Sequence, residues 1–193
     1  MVEAIRVIQY GLGPIGSAVA RHVVERGGLK LVAGVDVAPD KIGQDVGQAI
    51  GLGRSLGFSV VGRLGDVQPA ADVVLHTTSS YFDLFQGQIL EILEAGYDVV
   101  STAEELSFPW LAHPTEAAAI DAAARRAGKT LLSTGVNPGF LMDALPIFLT
   151  AICQKVDHIA ITRSQNASPR RGPFQAKIGS GLSVEAFNTR MAQ

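Results

Sequence analysis

Apolar residues arrive along this chain in short continuous runs, most of them followed by a helical spacing of apolar and polar positions. Ile5–Tyr10 is the first run, and it empties into Gly11-Leu12-Gly13-Pro14-Ile15-Gly16. Behind it, Ala18, Val19, His22 and Val23 fall on one helical face. Leu29–Val35, Phe58–Val61, Ala71–His76, Tyr97–Ser101 and Thr130–Ser133 read as further strands. The longer, uninterrupted runs suit a parallel sheet covered on both faces. Between them the spacing predicts a helix from about Asp83 to Ala95, with Leu84, Ile89, Ile92 and Leu93 on one face and Gly96 as its stop. Another runs from Pro114 to Ala127 and ends before Gly128. Leu141–Cys153 is apolar and helical, with Pro146 kinking or restarting it. The alternation predicts an α/β protein, a Rossmann-type doubly wound parallel sheet.

The pattern changes near Lys155. Val156–Thr162 alternates as a half-buried strand does, residues 164–181 are loop-like, and a short helical stretch starts at Val184. This divides the chain into a dinucleotide-binding domain, residues 1–153, and the start of a second, mixed α/β domain, residues 154–193. Forty residues are too few for an independent core, so the second part reads as truncated, a partial substrate or dimerisation domain.

The first turn carries the chemistry most plainly. In G-x-G-x-x-G, Gly11 permits the tight turn, Gly13 lets backbone approach a pyrophosphate, and Gly16 lets helix and strand pack closely. Pro14 suits the first helical turn, and the free N–H groups around Pro14, Ile15 and Gly16 favour an anion. Such a string is weak evidence alone. Here a strand precedes it, a helix follows, and Asp36 stands 20 residues after Gly16, at the end of the second strand. An acid there holds the adenosine ribose hydroxyls in NAD-binding domains. No arginine follows Asp36 directly, so NAD is preferred while NADP stays possible. Lys41 could reach a phosphate, though a solvated surface lysine is the plainer reading.

Bulk composition removes other classes. With 47% hydrophobic and 18% charged residues, and a net charge of −2, the chain suits a compact core and offers no electrostatic case for nucleic acid or an anionic membrane. One cysteine, Cys153, excludes an internal disulfide and a cysteine metal site; its apolar surroundings read as burial. No apolar run reaches transmembrane length and no signal-peptide pattern opens the chain, so the protein reads as cytoplasmic.

Ligands of open parallel sheets lie beyond the carboxyl ends of the strands. Three such ends are polar. Thr77, Thr78 and Ser79 form a hydroxyl-rich loop that runs beside a nicotinamide ribose or caps the next helix, or both. His76 reads as a strand-end histidine before a catalytic base. Glu104 and Glu105 are adjacent, so at most one can point into a crevice, and both could instead favour a helix N-terminus. Asn137-Pro138-Gly139-Phe140 is a strand-to-helix turn that could also bring Asn137 to a nicotinamide and Phe140 to a substrate. Arg170, Arg171 and Lys177 read as solvated surface before substrate or partner contacts.

The glycine motif, STAEELSFP at 101–109, TGVNPGFLMD at 134–143 and RRGPFQAKIGSG at 170–181 together resemble the 2,4-diaminopentanoate dehydrogenase family. Native amine dehydrogenases belong with it, and its N-terminal domain is similar to dihydrodipicolinate reductase. The resemblance implies an NAD(P)-dependent enzyme that oxidises an amine to a ketone and ammonia, or runs the reductive amination. It also implies a homodimer and a second domain continuing beyond residue 193. Its active-site glutamate matches Glu104, or Glu105 if the alignment shifts one place, with no metal. A reductase of the dihydrodipicolinate type lacks its H-H-x-x-K-x-D-x-P-S-G-T string here. A non-catalytic dinucleotide-binding module is the other alternative.

Overall fold

The computed structural model describes residues 3–169 and 172–191. Five strands make one sheet: β1 (Ile5–Tyr10), β2 (Leu29–Val35), β3 (Val73–His76), β4 (Asp98–Ser101) and β5 (Leu131–Ser133), in the order β2-β1-β3-β4-β5. All four pairings are parallel, and register sets Tyr10 opposite both Val35 and His76, with His76 opposite Ser101. The carboxyl ends therefore form one edge.

Alternation along β1 feeds both faces of the sheet. Ile8 joins Val74, Val99, Phe85, Ile89 and Ile120 in one buried cluster, under α3 (Phe82–Glu94) and α4 (Pro114–Ala127). Val7 joins Leu31, Ala20 and Val23 in the other, under α1 (Pro14–Glu25). Each of the larger side chains among them contributes about 2 kcal/mol of burial. Both sequence-predicted helices after β3 and β4 form nearly as expected, and Gly128 caps α4 in the left-handed region. At the opposite edge of the sheet, Arg6 Nη2 meets Asp72 Oδ1 at 2.6 Å and ties β1 to the entry of β3.

Three sequence expectations need correction. Phe58–Val61 makes only isolated bridges, Val61 with Val35 and Ser59 with Asp45. Its backbone is instead bonded to a turn-rich partner, since Gly43 N–H donates to Val60 and Val46 N–H to Phe58. Asp45 organises that partner by accepting from Gly47, Leu56 and Gly57 N–H and the Ser55 hydroxyl, next to the short helix α2 (Val46–Ala49). The helical stretch expected over Leu141–Cys153 forms through Ile152: wide turns up to Ala144 pass into α5 (Leu145–Leu149), with Pro146 in its first turn, and a tighter turn follows at Thr150–Ile152. Before it, Asn137 and Pro138 are extended and the bond joining them is cis. Cys153 is exposed, because its segment presents Phe148 and Ile152 to solvent as well.

The chain divides into the units Met1–Ile152 and Cys153–Gln193. The second holds α6 (Gly172–Lys177) and α7 (Val184–Met191) and no strand among the described residues. Val156–Thr162, the third correction, forms no strand, and Val156, Ile159 and Ile161 stay exposed. Alternation makes a strand only where an edge is offered to it. No helix among the described residues is long and apolar enough to cross a membrane.

Candidate functional site

Strand order reverses between β2 and β3, on either side of β1, and a crevice at such a switch point binds ligands in this architecture. Gly11 turns the chain out of β1 at φ +90°, and a Cβ there would lie 2.7 Å from the Thr77 carbonyl. A Cβ on Gly16 would collide with the Gly11 carbonyl and the Thr77 hydroxyl. These two glycines hold helix and strand together. Gly13 differs: nothing lies within 4 Å of the Cβ it lacks, so its backbone faces open space. It is also the N-cap of α1, and no side chain caps that end. The exposed N–H groups and helix dipole leave a cradle suited to a phosphate.

Gly11, Gly13, Asp36, Thr77 and Thr78 line one cleft of about 260 Å³, completed by Tyr10, Val37, Lys41 and Gln88. Gly16 is buried beneath it, while Pro14 and Ile15 stand exposed on the first turn of α1. Thr77 Oγ1 donates to the Gly11 carbonyl at 2.9 Å, fastening the hydroxyl loop to the glycine turn. Ser79 Oγ accepts Tyr81 N–H at 3.1 Å, just before α3. The loop therefore both shapes the cleft and prepares the helix.

Asp36 is held rigidly. Its Oδ1 accepts Ala38 N–H at 2.9 Å and its Oδ2 accepts Leu12 N–H at 2.7 Å. Partial burial pushes its carboxyl pKa up, but those two N–H groups and the Lys41 ammonium outweigh it and hold the group below the ordinary range. Lys41 is thus not a solvated surface lysine: its Nζ lies 2.9 Å from the Leu12 carbonyl and 3.3 Å from Asp36 Oδ2.

His76 is fully buried at the end of β3. Ser101 Oγ accepts Ala103 N–H at 3.1 Å and lies within hydrogen-bond distance of His76 Nδ1, 2.9 Å away. His76 Nε2 lies 2.8 Å from Gln88 Oε1 and 2.9 Å from Thr78 Oγ1. Burial lowers the His76 pKa, against the opposing bond to Gln88, and keeps the ring neutral. Thr78 also donates to Gln88 Oε1, at 2.7 Å, so the NH2 group is what Gln88 can offer the cleft it lines. His76 is an orienting group here and touches no open site. Nothing in the sequence marked Gln88; it lies nearly two turns past the start of α3, and only the packing of α3 brings it to the cleft.

The loop after β4 carries Glu104-Glu105-Leu106 in one tight turn. Glu105 Oε2 accepts Phe82 N–H at 2.5 Å and lies 3.9 Å from His113 Nε2, while His113 stacks on Phe82 at 4.4 Å. Glu104 is exposed at the same edge. Glu105 N–H donates to Ser80, and Ser133 Oγ to the Ala103 carbonyl, so the loops after β3, β4 and β5 are tied together. Asn137 is half-buried and Phe140 exposed beyond β5; neither lines the glycine cleft. A larger groove of about 570 Å³ between α4 and β5 contains none of the sequence-predicted site residues. Arg170 and Arg171 lie outside the described residues. Among those described, no group of three or more potential metal ligands occurs.

Residues 5–101 match the family described as dihydrodipicolinate reductase, N-terminus. The chain belongs to that family. In this dihydrodipicolinate reductase N-terminal domain the matched span holds the glycine turn, Asp36 and the hydroxyl loop; Glu104, Asn137 and Phe140 follow it. The chain is similar to 2,4-diaminopentanoate dehydrogenase of Acetoanaerobium sticklandii, 35% identical over 97% of this chain and 54% of the relative. It is also similar to an amine dehydrogenase of Streptomyces virginiae, 28% identical over 80% of this chain and 44% of the relative. The solved amine dehydrogenase from Mycobacterium smegmatis superposes with a TM-score of 0.70 at 32% identity, over 76% of this chain and 44% of that one. The chain thus spans about half the length of the curated relatives it matches.

Proposed function

We propose that this chain is the dinucleotide-binding part of an NAD(P)-dependent amine dehydrogenase, which oxidises an amine or diamine to a ketone plus ammonia and is reversible as reductive amination. The observation that carries the reading is the shared edge. The cleft of Gly11, Gly13, Asp36 and Thr77 opens at the carboxyl ends of β1 and β3, and the neighbouring strand delivers Glu104 to the same edge.

Gly13 and the first turn of α1 would hold the pyrophosphate, and Asp36 the adenosine ribose hydroxyls. The unfilled space at Gly13 fits that group, and a side chain there would occupy it. A bound nicotinamide supplies the two-electron oxidation and reduction. Glu104 binds ammonium, takes its proton as ammonia attacks the ketone, and faces the positive charge of the iminium that forms. In the oxidative direction the carboxylate faces the same charge while water adds and ammonia leaves. The relatives' names support amines as the substrate class, and the capping bond of Glu105 favours Glu104 as the working carboxylate.

The test is amine-dependent formation of NADH and NADPH across a panel of diamines and simple alkyl amines. Glu104→Gln should lower turnover by about a hundredfold or more with NADH binding retained. Undiminished turnover would remove Glu104 from the chemistry. Silence across the panel with cofactor bound would turn the reading to an imine reductase or a non-catalytic module.

A further inference from the structure

Beneath the edge that carries Glu104 lies a polar pair the chemistry above does not use. His76 and Ser101 face each other at the ends of β3 and β4. Both are fully buried, and they line neither the cleft nor the larger groove. The His76 ring is packed between Tyr10, 5.8 Å away between centroids, and the edge of Phe85, at 6.2 Å. Its Nδ1 stands 2.9 Å from Ser101 Oγ, and its Nε2 is taken up by Gln88 and Thr78. A buried network with every member partnered rigidifies what it touches.

The Ser101 hydroxyl passes that constraint on to Ala103. It accepts Ala103 N–H at 3.1 Å, while Ser133 Oγ, from the end of β5, donates to the Ala103 carbonyl at 2.9 Å. The N–H and the carbonyl of Ala103 are thus both held by serines on neighbouring strands. Ala103 is itself buried and extended, and the tight turn that begins with Glu104 starts from it. Thr102 N–H also donates to the His76 carbonyl, at 3.0 Å. The backbone leading to Glu104 therefore rests on His76 twice. A carboxylate that must meet a bound amine works only if its support holds it to a fraction of an ångström. We infer that His76 is a positioning residue for Glu104, acting through Ser101 and the Ala103 N–H. This rests on the amine dehydrogenase reading above and adds the group that keeps its carboxylate in place.

The experiment follows amine-dependent NADH formation, NADH binding and thermal melting in His76→Asn, His76→Gln, Ser101→Ala and the double variant His76→Gln/Ser101→Ala. Counted in bonds from Cβ, Asn keeps a polar atom at the place of Nδ1 and none at that of Nε2; Gln does the reverse. His76→Gln should lower kcat by about tenfold or more while KM for NAD and NADH affinity stay within about threefold of wild type. His76→Asn should lose less than about threefold in kcat, because the link to Ser101 survives. A role in packing alone would not separate the two. Ser101→Ala should match His76→Gln, and the double variant should be no slower than Ser101→Ala, since both cut the same link. Equal kcat losses in His76→Asn and His76→Gln, losses that multiply in the double variant, or an undiminished kcat in Ser101→Ala would overturn the inference and leave the amine dehydrogenase reading standing. A wild type that binds NADH and oxidises no amine, or a Glu104→Gln variant with undiminished turnover, would overturn both. Melting separates a lost fold from a lost kcat, and Ser101→Ala, the smallest change, carries the test if His76→Gln does not fold.

Discussion

The carboxylate of Glu105 accepts the backbone N–H of Phe82 from 23 residues away, at 2.5 Å. Phe82 is the first residue of α3, and Tyr81 before it offers no side-chain cap of its own. A remote acid thus performs the task usually given to the residue preceding a helix. Adjacent side chains in a tight turn diverge, so committing Glu105 to α3 directs Glu104 elsewhere on the edge.

Glu105→Ala should therefore cost about 1 kcal/mol of stability, the usual magnitude for a lost helix cap. Urea unfolding reads it. NADH affinity should change little, because Glu105 does not line the glycine cleft. A tight-binding variant with unaltered stability would show that the Phe82 bond is dispensable.

The motif glycines should separate into two kinds. Gly16→Ala forces a methyl group into the Gly11 carbonyl and the Thr77 hydroxyl, so the melting temperature should fall along with cofactor binding, at a cost of about 1–3 kcal/mol. Gly13→Ala meets nothing in the protein. Its melting temperature should hold while NADH binding weakens by about tenfold or more, because the added methyl takes the space that the proposed function assigns to a pyrophosphate. Paired melting curves and NADH titrations check both, and equal binding by wild type and Gly13→Ala would move the phosphate site away from this turn.

His76 should make stability depend on pH. Its folded pKa lies below the unfolded value of about 6.5, so the unfolded chain binds more protons in mild acid. The stabilisation is complete above that value and is lost as pH falls through the depressed folded pKa. Urea unfolding from pH 8 to 5 should show declining stability, with a slope reduced in His76→Gln. A slope that persists unchanged would assign the titration to another group.

The strands were legible where burial on both faces left an apolar run with nothing to interrupt it, as in Ile5–Tyr10 and Leu29–Val35. Phe58–Val61 misled because its composition says strand while its partner, residues 43–46, is a turn. The glycine turn and Asp36 could be placed because their spacing along one βαβ unit is nearly rigid. Lys41 and Gln88 could not. Whether a lysine six residues past a strand folds back onto Asp36, or which face of α3 looks into the cleft, depends on neighbours distant in sequence. Glu104 and Glu105 were ambiguous for a related reason, since adjacency alone gives no direction and the Phe82 N–H that decides it comes from another element.

β1 lies between β2 and β3, and the cleft has one wall on each neighbour: Asp36 and Lys41 beyond β2, Thr77 and Thr78 beyond β3. Its span is therefore two strand spacings, roughly 10 Å, set by the ladder of backbone bonds. A gauge built from main chain does not drift when side chains change. On the proposed function, substitutions along the rim would change what the cleft holds best, while the width that admits a dinucleotide is kept by the sheet itself.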